Sequence, residues 1–477
     1  MTSLSNDAHG GDLADIHARL RDNCARMART TSQERIARLT RLRNALWESR
    51  TELHEALYAD FRKNPAEADM TEVHPVLSEV NHTIRHLPRW MRPDRVKTPR
   101  TLLGTHSAVQ YQPKGLVLIL APWNYPVNLT LCPLIAAIAA GNCVIIKPSS
   151  KVPHTVRYLK KLLAAVFPPE EVVLVEGSSR VADELLRFRF DHIFFTGSPT
   201  VGRHVMRAAA EHLTPVTLEL GGKSPAIVDE TADLAKAAER IMWGKFLNAG
   251  QTCVAPDYVM IQAGVRDAFL DAARRVLKKW YGSTPDRRRA SDSYCRIVSD
   301  GRFQHLQKLL NDSVAAGATV AFGGAADAAE RYMEPTLLAD VTMDSPIMAG
   351  EIFGPILPVM TFASLDEPIA VVRGMEKPLA LYFFSSSEEA VARIRGETTS
   401  GGACINSVII HVANPNLPFG GVGRSGMGNY HGLYGFRTFS HERAVLRQGR
   451  PDSLRFFYPP YTRCIKRIIR FAARHSG

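Results

Sequence analysis

The chain has 477 residues, 45% of them hydrophobic and 22% charged, which is typical of a soluble globular protein with two or three domains. Its seven cysteines are scattered without a Cys-x-x-Cys pair, which argues against a disulfide framework or a metal site and favours a reducing, cytoplasmic compartment. The net charge of +12 is concentrated in residues 443–477, and no signal peptide, membrane-length apolar run or nucleic-acid-binding motif accompanies it.

The predicted elements alternate between helices and strands along most of the chain. Residues 12–65 carry apolar side chains at helical spacing and predict long surface helices. After Gly115, apolar runs predict strands at 116–120, 143–146, 171–175 and 192–195, with helices at 131–140, 153–166 and 181–188 between them. Strands that are apolar throughout predict a parallel sheet covered on both faces, with ligands at the strands' carboxyl ends.

A second α/β unit follows, with predicted strands near 226–228, 258–261 and 356–358. Polar or alternating stretches at 98–112 and 438–450 predict strands outside both units. The predicted fold class is therefore α/β, with two doubly wound domains and a small β arm. The sequence divides into a dinucleotide-binding domain at 1–97 and 115–218 and a catalytic domain at 219–412. An oligomerisation arm comprises 98–114 and 434–450, and a basic tail comprises 451–477.

Residues 194–202 predict a strand that ends at the start of a helix, with Ser198 as the N-cap. Flanked by Gly197 and Gly202, such a helix start suits a pyrophosphate. The Gly-x4-Gly spacing differs from the usual dinucleotide fingerprint, so the motif by itself also fits a plain strand–helix turn. Lys147, at the end of the neighbouring predicted strand, favours a cofactor site because it can bind a ribose hydroxyl or a phosphate. A solvated surface lysine is the alternative.

Glu351 and Phe353 lie in a short turn that ends in Gly-Pro. The carboxylate of Glu351 is a candidate ligand for the second ribose of a dinucleotide, and the ring of Phe353 is a candidate to pack on a nicotinamide. Alone, the pattern fits equally a surface acid beside a core aromatic residue.

A cysteine and a glutamate form the most informative pair in the chain. Cys253 follows Asn-Ala-Gly-Gln-Thr, and a thiol among small residues at a loop or helix start can be exposed, with backbone N–H groups that favour the thiolate. Glu219 ends an apolar strand just before Gly-Gly, so its carboxylate can point into a cleft. A thiol and a carboxylate without a histidine suggest a covalent acyl-enzyme that base-activated water hydrolyses.

Taken together, these segments resemble the aldehyde dehydrogenase superfamily over about residues 15 to 462. The segments that match, in chain order, are Pro-Trp-Asn-Tyr-Pro (122–126), Lys-Pro-Ser (147–149), Phe-Thr-Gly-Ser (195–198), Leu-Glu-Leu-Gly-Gly-Lys (218–223), Gly-Gln-Thr-Cys (250–253) and Glu-Ile-Phe-Gly-Pro (351–355). Residues 253–258 and 417–428 look like the class 3 branch, which includes fatty, aromatic and coniferyl-type aldehyde dehydrogenases.

The resemblance implies NAD(P)-dependent oxidation of an aldehyde, medium- to long-chain or aromatic, to its acid. It implies that Cys253 forms the thiohemiacetal and thioester, that the Asn124 amide and the Cys253 N–H bind the oxyanion, and that Glu219 activates water. It places Trp123, Ser149 and Leu220 in the cofactor site and implies a homodimer joined through the arm. A coenzyme A-acylating dehydrogenase and a non-catalytic binding protein on the same fold are the alternatives. Tyr125, Trp243 and His411 are candidate walls of the substrate funnel.

One position departs from the family's usual Lys-Pro-Ser-Glu, because Ser150 replaces the glutamate that binds the adenosine ribose. Losing this carboxylate removes a repulsion against a 2′-phosphate, while Lys147 and Lys151 remain to attract it. The hypothesis is that NADP is tolerated or preferred; the alternative is a weaker ribose contact with NAD still in use.

The tail predicts a short basic amphipathic helix within 462–474. Ile465, Ile468, Ile469 and Ala472 lie at helical spacing, opposite a row of Arg463, Arg467, Arg470 and Arg474. This helix either docks on the protein's own surface or makes a peripheral contact with anionic lipid.

Overall fold

The computed structural model describes residues 10–99, 102–450, 452 and 458–475. Residues 1–9, 100–101, 451, 453–457 and 476–477 of the predicted domains, arm and tail lie outside the described residues, as does the side chain of Ala472.

The described α-helices are α1 Gly10–Met27, α2 Ser32–Glu48, α3 Arg50–Phe61, α4 Pro65–Ala68, α5 His74–Trp90, α6 Asn128–Ala140, α7 Pro153–Val166, α8 Ser179–Leu185, α9 Pro199–Ala210, α10 Leu234–Phe246, α11 Arg266–Tyr281, α12 Pro285–Ala290, α13 Asp300–Ala315, α14 Asp366–Gly374, α15 Glu388–Glu397, α16 Gly432–Thr438 and α17 Arg463–His475.

The described strands are β1 Asp94–Val96, β2 Thr105–Pro113, β3 Leu116–Leu120, β4 Cys143–Lys147, β5 Val172–Leu174, β6 His192–Gly197, β7 Val216–Leu220, β8 Pro225–Val228, β9 Tyr258–Gln262, β10 Thr319–Phe322, β11 Ala326–Asp327, β12 Tyr332–Met333, β13 Thr336–Ala339, β14 Ile356–Phe362, β15 Ala380–Phe384, β16 Gly402–Ile405, β17 Gly426–Met427 and β18 Ser440–Gln448.

The first sheet has the order β17-β7-β6-β3-β4-β5 in the described residues, and all of its strands are parallel except β17. Its centre, β3, is buried along its whole length because each of its side chains is apolar. From β3 the chain proceeds to β4 on one side and later to β6 on the other. This reversal of direction opens a crevice at the carboxyl ends of β3 and β6, where sheets of this kind bind ligands.

The second sheet has the order β10-β13-β14-β9-β8-β15-β16 in the described residues, and only β10 is antiparallel. Residues 221–224 alone connect the carboxyl end of β7 to the amino end of β8. The carboxyl edge of the first sheet therefore faces the amino edge of the second.

The predicted α/β class is confirmed, and a third, antiparallel sheet, β1-β2-β18, forms the small arm. β18 pairs with β2 from Ser440 opposite Pro113 to Gln448 opposite Thr105, and it is exposed from His441 onward. Residues 434–438, which we expected in the arm, instead lie in α16, because Gly435 lets this helix pack closely on Ala136 of α6.

Several predicted boundaries differ from those in the structure for reasons that lie far away in the sequence. The expected start of α6 at residue 131 is wrong, because the carboxylate of Glu72 accepts the N–H groups of Val127 and Asn128 and supports an earlier start. The predicted division between residues 218 and 219 falls inside β7, because this strand pairs with β6 as far as Leu220 opposite Gly197.

Candidate active site

The candidate active site lies between the facing edges of the two sheets. Asn124 follows β3 and Glu219 lies near the end of β7, so the first sheet supplies both from its carboxyl edge. Cys253 and Glu351 precede β9 and β14, so the second sheet supplies both from its amino edge. A hydrogen bond from the side chain of Asn124 to the carbonyl oxygen of Gln251 joins the two edges directly. The three predicted catalytic residues and Glu351 thus come from four separate segments.

The catalytic loop, residues 247–253, has an unusual backbone. Asn248 and Ala249 have φ angles of 53° and 50°, and Gly250 follows at 74°. Left-handed backbone at residues other than glycine costs ~1–3 kcal/mol each, so the surroundings must hold the loop in place. A side chain at Gly250 would collide with the carbonyl group of Gly354, so the loop before β14 packs directly against the catalytic loop.

The thiol of Cys253 is only partly exposed. Burial raises its pKa to about 12, and the carboxyls of Glu351 and Glu219 add to the rise. The backbone N–H groups of Cys253 and Val254 lower the thiol pKa, as the sequence predicts for a loop, but the effect is smaller than that of burial. The N–H groups of the loop therefore favour the thiolate as expected, but burial and the two carboxyls outweigh them, and the thiol stays protonated near pH 7.

Asn124 is buried, and its side-chain nitrogen donates a hydrogen bond of 3.1 Å to the carbonyl oxygen of Gln251. A carboxamide has two N–H bonds, so the second remains for a ligand. Asn248 holds the same region, because its side-chain nitrogen donates to the carbonyl oxygens of Asn124 at 2.8 Å and of Gln251 at 3.2 Å. The amide of Asn124 is thereby held against the residues that precede Cys253.

Glu219 is buried, and neither of its carboxyl oxygens has a hydrogen-bond partner among the described residues. Burial raises its pKa well above the usual value of 4.5. A carboxyl without partners in an apolar enclosure is suited to take up a proton at neutral pH, as a general base must.

Glu351 lies against the backbone of Gly221, where any added Cβ would collide with its carboxyl group. Burial and the charge of Asp257 raise the pKa of Glu351 to about 8. The N–H of Gly222 and the positive charges of Arg302 and Lys223 oppose this rise. The charge of Glu351 affects the Cys253 thiol more than that of Glu219 does. Glu351 therefore lies close enough to Cys253 for its charge to affect the thiol.

A buried ion pair that the sequence analysis missed anchors the loop of Glu351. Lys223 donates to Asp257 at 2.7 Å and to the carbonyl oxygens of Ile347 and Gly350 at 2.9 and 2.8 Å. Asp257 in turn accepts the backbone N–H of Ile352 at 3.1 Å. Lys223 and Asp257 lie in the matched segments 218–223 and 253–258. A charged residue among apolar neighbours is seldom buried without a partner, and this pattern in the sequence could have indicated the ion pair.

The predicted cofactor residues lie around the crevice of the first sheet. Ser198 caps α9 by accepting the N–H of Val201 at 3.4 Å. Glycine is required at 197 and 202 by close approach, since a Cβ there would come within 2.5 Å of the Phe195 ring and 2.8 Å of the Leu220 side chain, respectively. The other predicted positions are Lys147, which is buried at the end of β4, Ser149, which is partly buried, and Ser150, which is exposed.

An aromatic pair borders this crevice. The rings of Trp123 and Phe353 meet edge to face with centroids 5.4 Å apart, and the ammonium of Lys151 lies 5.6 Å from the centre of the Trp123 ring. Phe353 has a left-handed backbone, with φ of 49°. Because Glu351 Oε1 is buried without a partner among the described residues, and Gly197 and Gly202 open the start of α9, these residues fit a nicotinamide dinucleotide.

A mainly apolar cavity of about 330 Å³ opens onto Cys253. Tyr125 and Trp243 line it, as we expected, together with Leu129, Ile409 and Phe419. His411 does not line it, because its Nδ1 lies 3.1 Å from the sulfur of Cys404, behind the lining. Among the described residues, no group of three histidines, cysteines or acids could hold a metal ion, and no helix has the length and apolarity needed to cross a membrane.

Comparisons with known proteins agree on one family. A model of the aldehyde dehydrogenase family matches residues 7–445. The chain is 46% identical to the 4,4'-diaponeurosporen-aldehyde dehydrogenase of Staphylococcus aureus, over 91% of this chain and 93% of that protein. It is 42% identical to human aldehyde dehydrogenase family 3 member B1 over 98% of each chain, and 43% identical to the dimeric NADP-preferring aldehyde dehydrogenase of rat, over 90% and 93%.

A solved structure of Staphylococcus aureus AldH in a substrate-bound state superposes on this fold with a TM-score of 0.92. The two chains are 43% identical, and the match covers 96% of this chain and 99% of the other.

Proposed function

This chain belongs to the aldehyde dehydrogenase family and is an NAD(P)-dependent enzyme that oxidises an aldehyde, and within that activity we propose that Cys253 is the nucleophile, Asn124 the oxyanion ligand and Glu219 the base. The observation that supports this assignment best is the surroundings of Cys253: it lines the apolar cavity, the charge of Glu219 reaches its thiol, and the Asn124 amide bonds to Gln251 two residues before it.

In the first step, the sulfur of Cys253 bonds to the aldehyde carbon. Because the thiol is neutral near pH 7, its proton passes to the ionised fraction of Glu351, the carboxyl whose charge affects the sulfur most. The carbonyl oxygen gains negative charge as the thiohemiacetal forms. The free N–H of the Asn124 amide and the backbone N–H of Cys253 bind this oxygen, a type of stabilisation worth ~2.7–4 kcal/mol per donor.

In the second half-reaction, the thioester on Cys253 is hydrolysed. The residues around the crevice of the first sheet would hold a nicotinamide cofactor, which would accept the hydride lost when the thiohemiacetal becomes the thioester. Glu219 then takes a proton from water, the hydroxide adds to the thioester carbon, and the thiol leaves with the acid released as its carboxylate. Burial raises the pKa of Glu219 well above its usual value, which makes its carboxylate a stronger proton acceptor than a solvated one.

The buried, unpartnered carboxyl of Glu219 supports hydrolysis over transfer of the acyl group to coenzyme A, since thiolysis needs no water-activating base. The test is pre-steady-state kinetics with saturating aldehyde and cofactor. We expect Glu219→Gln to keep a burst of reduced cofactor of about one equivalent while steady turnover falls by ~10²–10⁴. Cys253→Ala is expected to lose both.

Glu239→Gln, at an exposed position of α10, is the matched control and should behave as wild type. A Glu219→Gln enzyme with neither burst nor turnover would place Glu219 in the first half-reaction and contradict the assignment. Product analysis with added coenzyme A completes the test, since an acyl-coenzyme A product would favour the alternative reaction.

We propose a medium- to long-chain aliphatic or aromatic aldehyde as the substrate class. The cavity in front of Cys253 is lined mainly by apolar side chains, and its acid, Glu79, is already engaged by His431 at 3.2 Å and by the N–H of Gly432 at 2.7 Å. Kinetics with aldehydes of increasing chain length measure it, and a preference for charged or short polar aldehydes would contradict it.

For the cofactor, we propose that NADP is accepted, because Ser150 is exposed beside Lys151 and because a relative is named NADP-preferring.

For assembly, we propose a homodimer joined through the arm, because β1 and most of β18 are exposed along the arm's outer edges and the same relative is named dimeric. Light scattering that returns the mass of one chain would contradict the dimer. The free cysteines support a cytoplasmic location.

A further inference from the structure

Three ionisable side chains meet behind the catalytic loop, and the sequence analysis singled out none of them. Lys63 and Glu72 are completely buried, with ammonium nitrogen and carboxylate oxygen 3.1 Å apart. The other oxygen of Glu72 accepts the N–H groups at the start of α6. Glu67, on α4, is the third member and forms no ion pair with the described residues. Burial raises its pKa, while the charge of Lys63 opposes the rise.

Glu67 contacts the catalytic loop at its most strained point. Its Oε1 accepts the backbone N–H of Asn248 at 2.9 Å. Asn248 is the first of the two left-handed residues of the loop and is itself completely buried. A buried N–H without an acceptor costs ~1–3 kcal/mol, so the carboxyl of Glu67 stabilises this backbone conformation over relaxed alternatives.

From Asn248 the contacts lead directly to the reacting groups. The side-chain nitrogen of Asn248 donates to the carbonyl oxygen of Asn124, and it shares the carbonyl oxygen of Gln251 with the amide of Asn124. Gln251 is held in turn by a hydrogen bond of 3.1 Å from its own side chain to the carbonyl oxygen of Asn248. A shift of Asn248 therefore moves both the oxyanion ligand and the residues that lead to Cys253.

We propose that Glu67 is a positioning residue, which acts through Asn248 to hold the Asn124 amide and the Cys253 thiol at fixed positions relative to each other. This role depends on the length of the Glu67 side chain, which brings an acceptor oxygen to the Asn248 N–H. It does not depend on the negative charge of Glu67. The inference rests on the proposed roles of Cys253 and Asn124.

Two substitutions separate reach from charge. Glu67→Gln keeps the length of the side chain and a carbonyl acceptor but removes the charge. Glu67→Asp keeps the charge but withdraws the acceptor by one methylene group. We expect kcat of the Gln variant to stay within about threefold of wild type, and kcat of the Asp variant to fall about tenfold or more, because small misplacements of reacting groups cost up to ~10²-fold in rate.

The expected loss is confined to kcat and appears equally in kcat/KM for the aldehyde, since the oxyanion contact is made in the transition state. KM for the cofactor should not change. Asp69→Asn is the matched control: Asp69 lies two residues further on, pairs with His54 at 2.7 Å and does not contact the catalytic loop. It should lower thermal stability without changing kcat.

Wild-type turnover and its loss in Cys253→Ala are measured first, so that a failure of the proposed function is recognised separately. With wild type active, an Asp variant equal to or faster than the Gln variant would overturn the inference. So would equal losses in both, because the Gln variant would then show that the reach of the acceptor oxygen is not sufficient without the charge. A Glu67→Ala variant, where it folds, should resemble the Asp variant.

Discussion

The carboxyl of Glu351 raises the pKa of the Cys253 thiol, and its own pKa is raised by burial and by the charge of Asp257. Burial and two neighbouring carboxyls hold the thiol proton, with a pKa of about 12, while the pKa of Glu351 is raised to about 8. The residue at 351 therefore changes its charge within the working pH range of an enzyme. Above pH 8 it is largely ionised and repels a thiolate; below pH 8 it is largely neutral and does not.

We predict that Glu351→Gln makes Cys253 more reactive towards iodoacetamide, and increasingly so as the pH rises. Removing the carboxylate lowers the thiol pKa, and the benefit is greatest where Glu351 would be ionised. The ratio of alkylation rates, Gln variant to wild type, should be close to one at pH 6.5 and reach several-fold at pH 9. Quantifying the Cys253 peptide by mass spectrometry separates it from the exposed Cys464.

In wild type, the alkylation rate should rise with pH without a plateau below pH 9, because the thiol pKa lies near 12, but by less than tenfold per pH unit around pH 8, where Glu351 ionises. Glu376→Gln removes an exposed carboxylate paired with Arg424 and serves as the charge control. A rate ratio that is flat or falls with pH would show that Glu351 does not repel the thiolate.

Ser150 is the residue on which cofactor choice is expected to depend. Ser150→Glu should lower kcat/KM for NADP several-fold relative to NAD, because a carboxylate near a 2′-phosphate costs ~1 kcal/mol or more at the protein surface. Steady-state kinetics with both cofactors measure the ratio. Ser386→Glu, at an exposed position after β15, controls for the added charge. An unchanged ratio would mean that position 150 does not contact the adenosine ribose.

At the scale of elements, α17 is a helix whose position is not accounted for by packing against the rest of the fold. It spans Arg463–His475, and none of its described side chains is buried. Ile465 and Ile469 are half-buried, while Ile468 and Phe471 are 37% and 66% exposed. The described side chains therefore do not show a helix docked on the protein's own surface. Exposed apolar residues beside a row of arginines favour the anionic surface of a membrane.

We predict that the full chain sediments with vesicles that contain phosphatidylserine, whereas a chain ending at Tyr461 does not. Binding should weaken with salt, since each arginine near an anionic surface contributes ~1 kcal/mol that screening removes. Vesicles of phosphatidylcholine alone are the control for purely apolar attachment. Equal partitioning of the two chains would exclude a membrane role for α17.

At the scale of the whole molecule, the reaction site exists only because two sheets present opposite edges to each other. The first sheet contributes Asn124 and Glu219 at its carboxyl edge, and the second contributes Cys253 and Glu351 at its amino edge. The four-residue connection from β7 to β8 holds these edges together. The rule that ligands lie at the carboxyl ends of strands thus holds for the proposed cofactor site but not for the proposed nucleophile.

The sequence by itself determined the α/β class, most strand positions and the candidate catalytic residues. Apolar runs such as Leu116–Leu120 specify buried strands locally, and the residues around Cys253 and Glu219 specify their chemistry through a family resemblance. Only the tertiary structure decided the protonation of Cys253, the early start of α6 and the contact of Glu67 with Asn248. Each of these depends on burial and on partners from distant segments, which no local pattern contains.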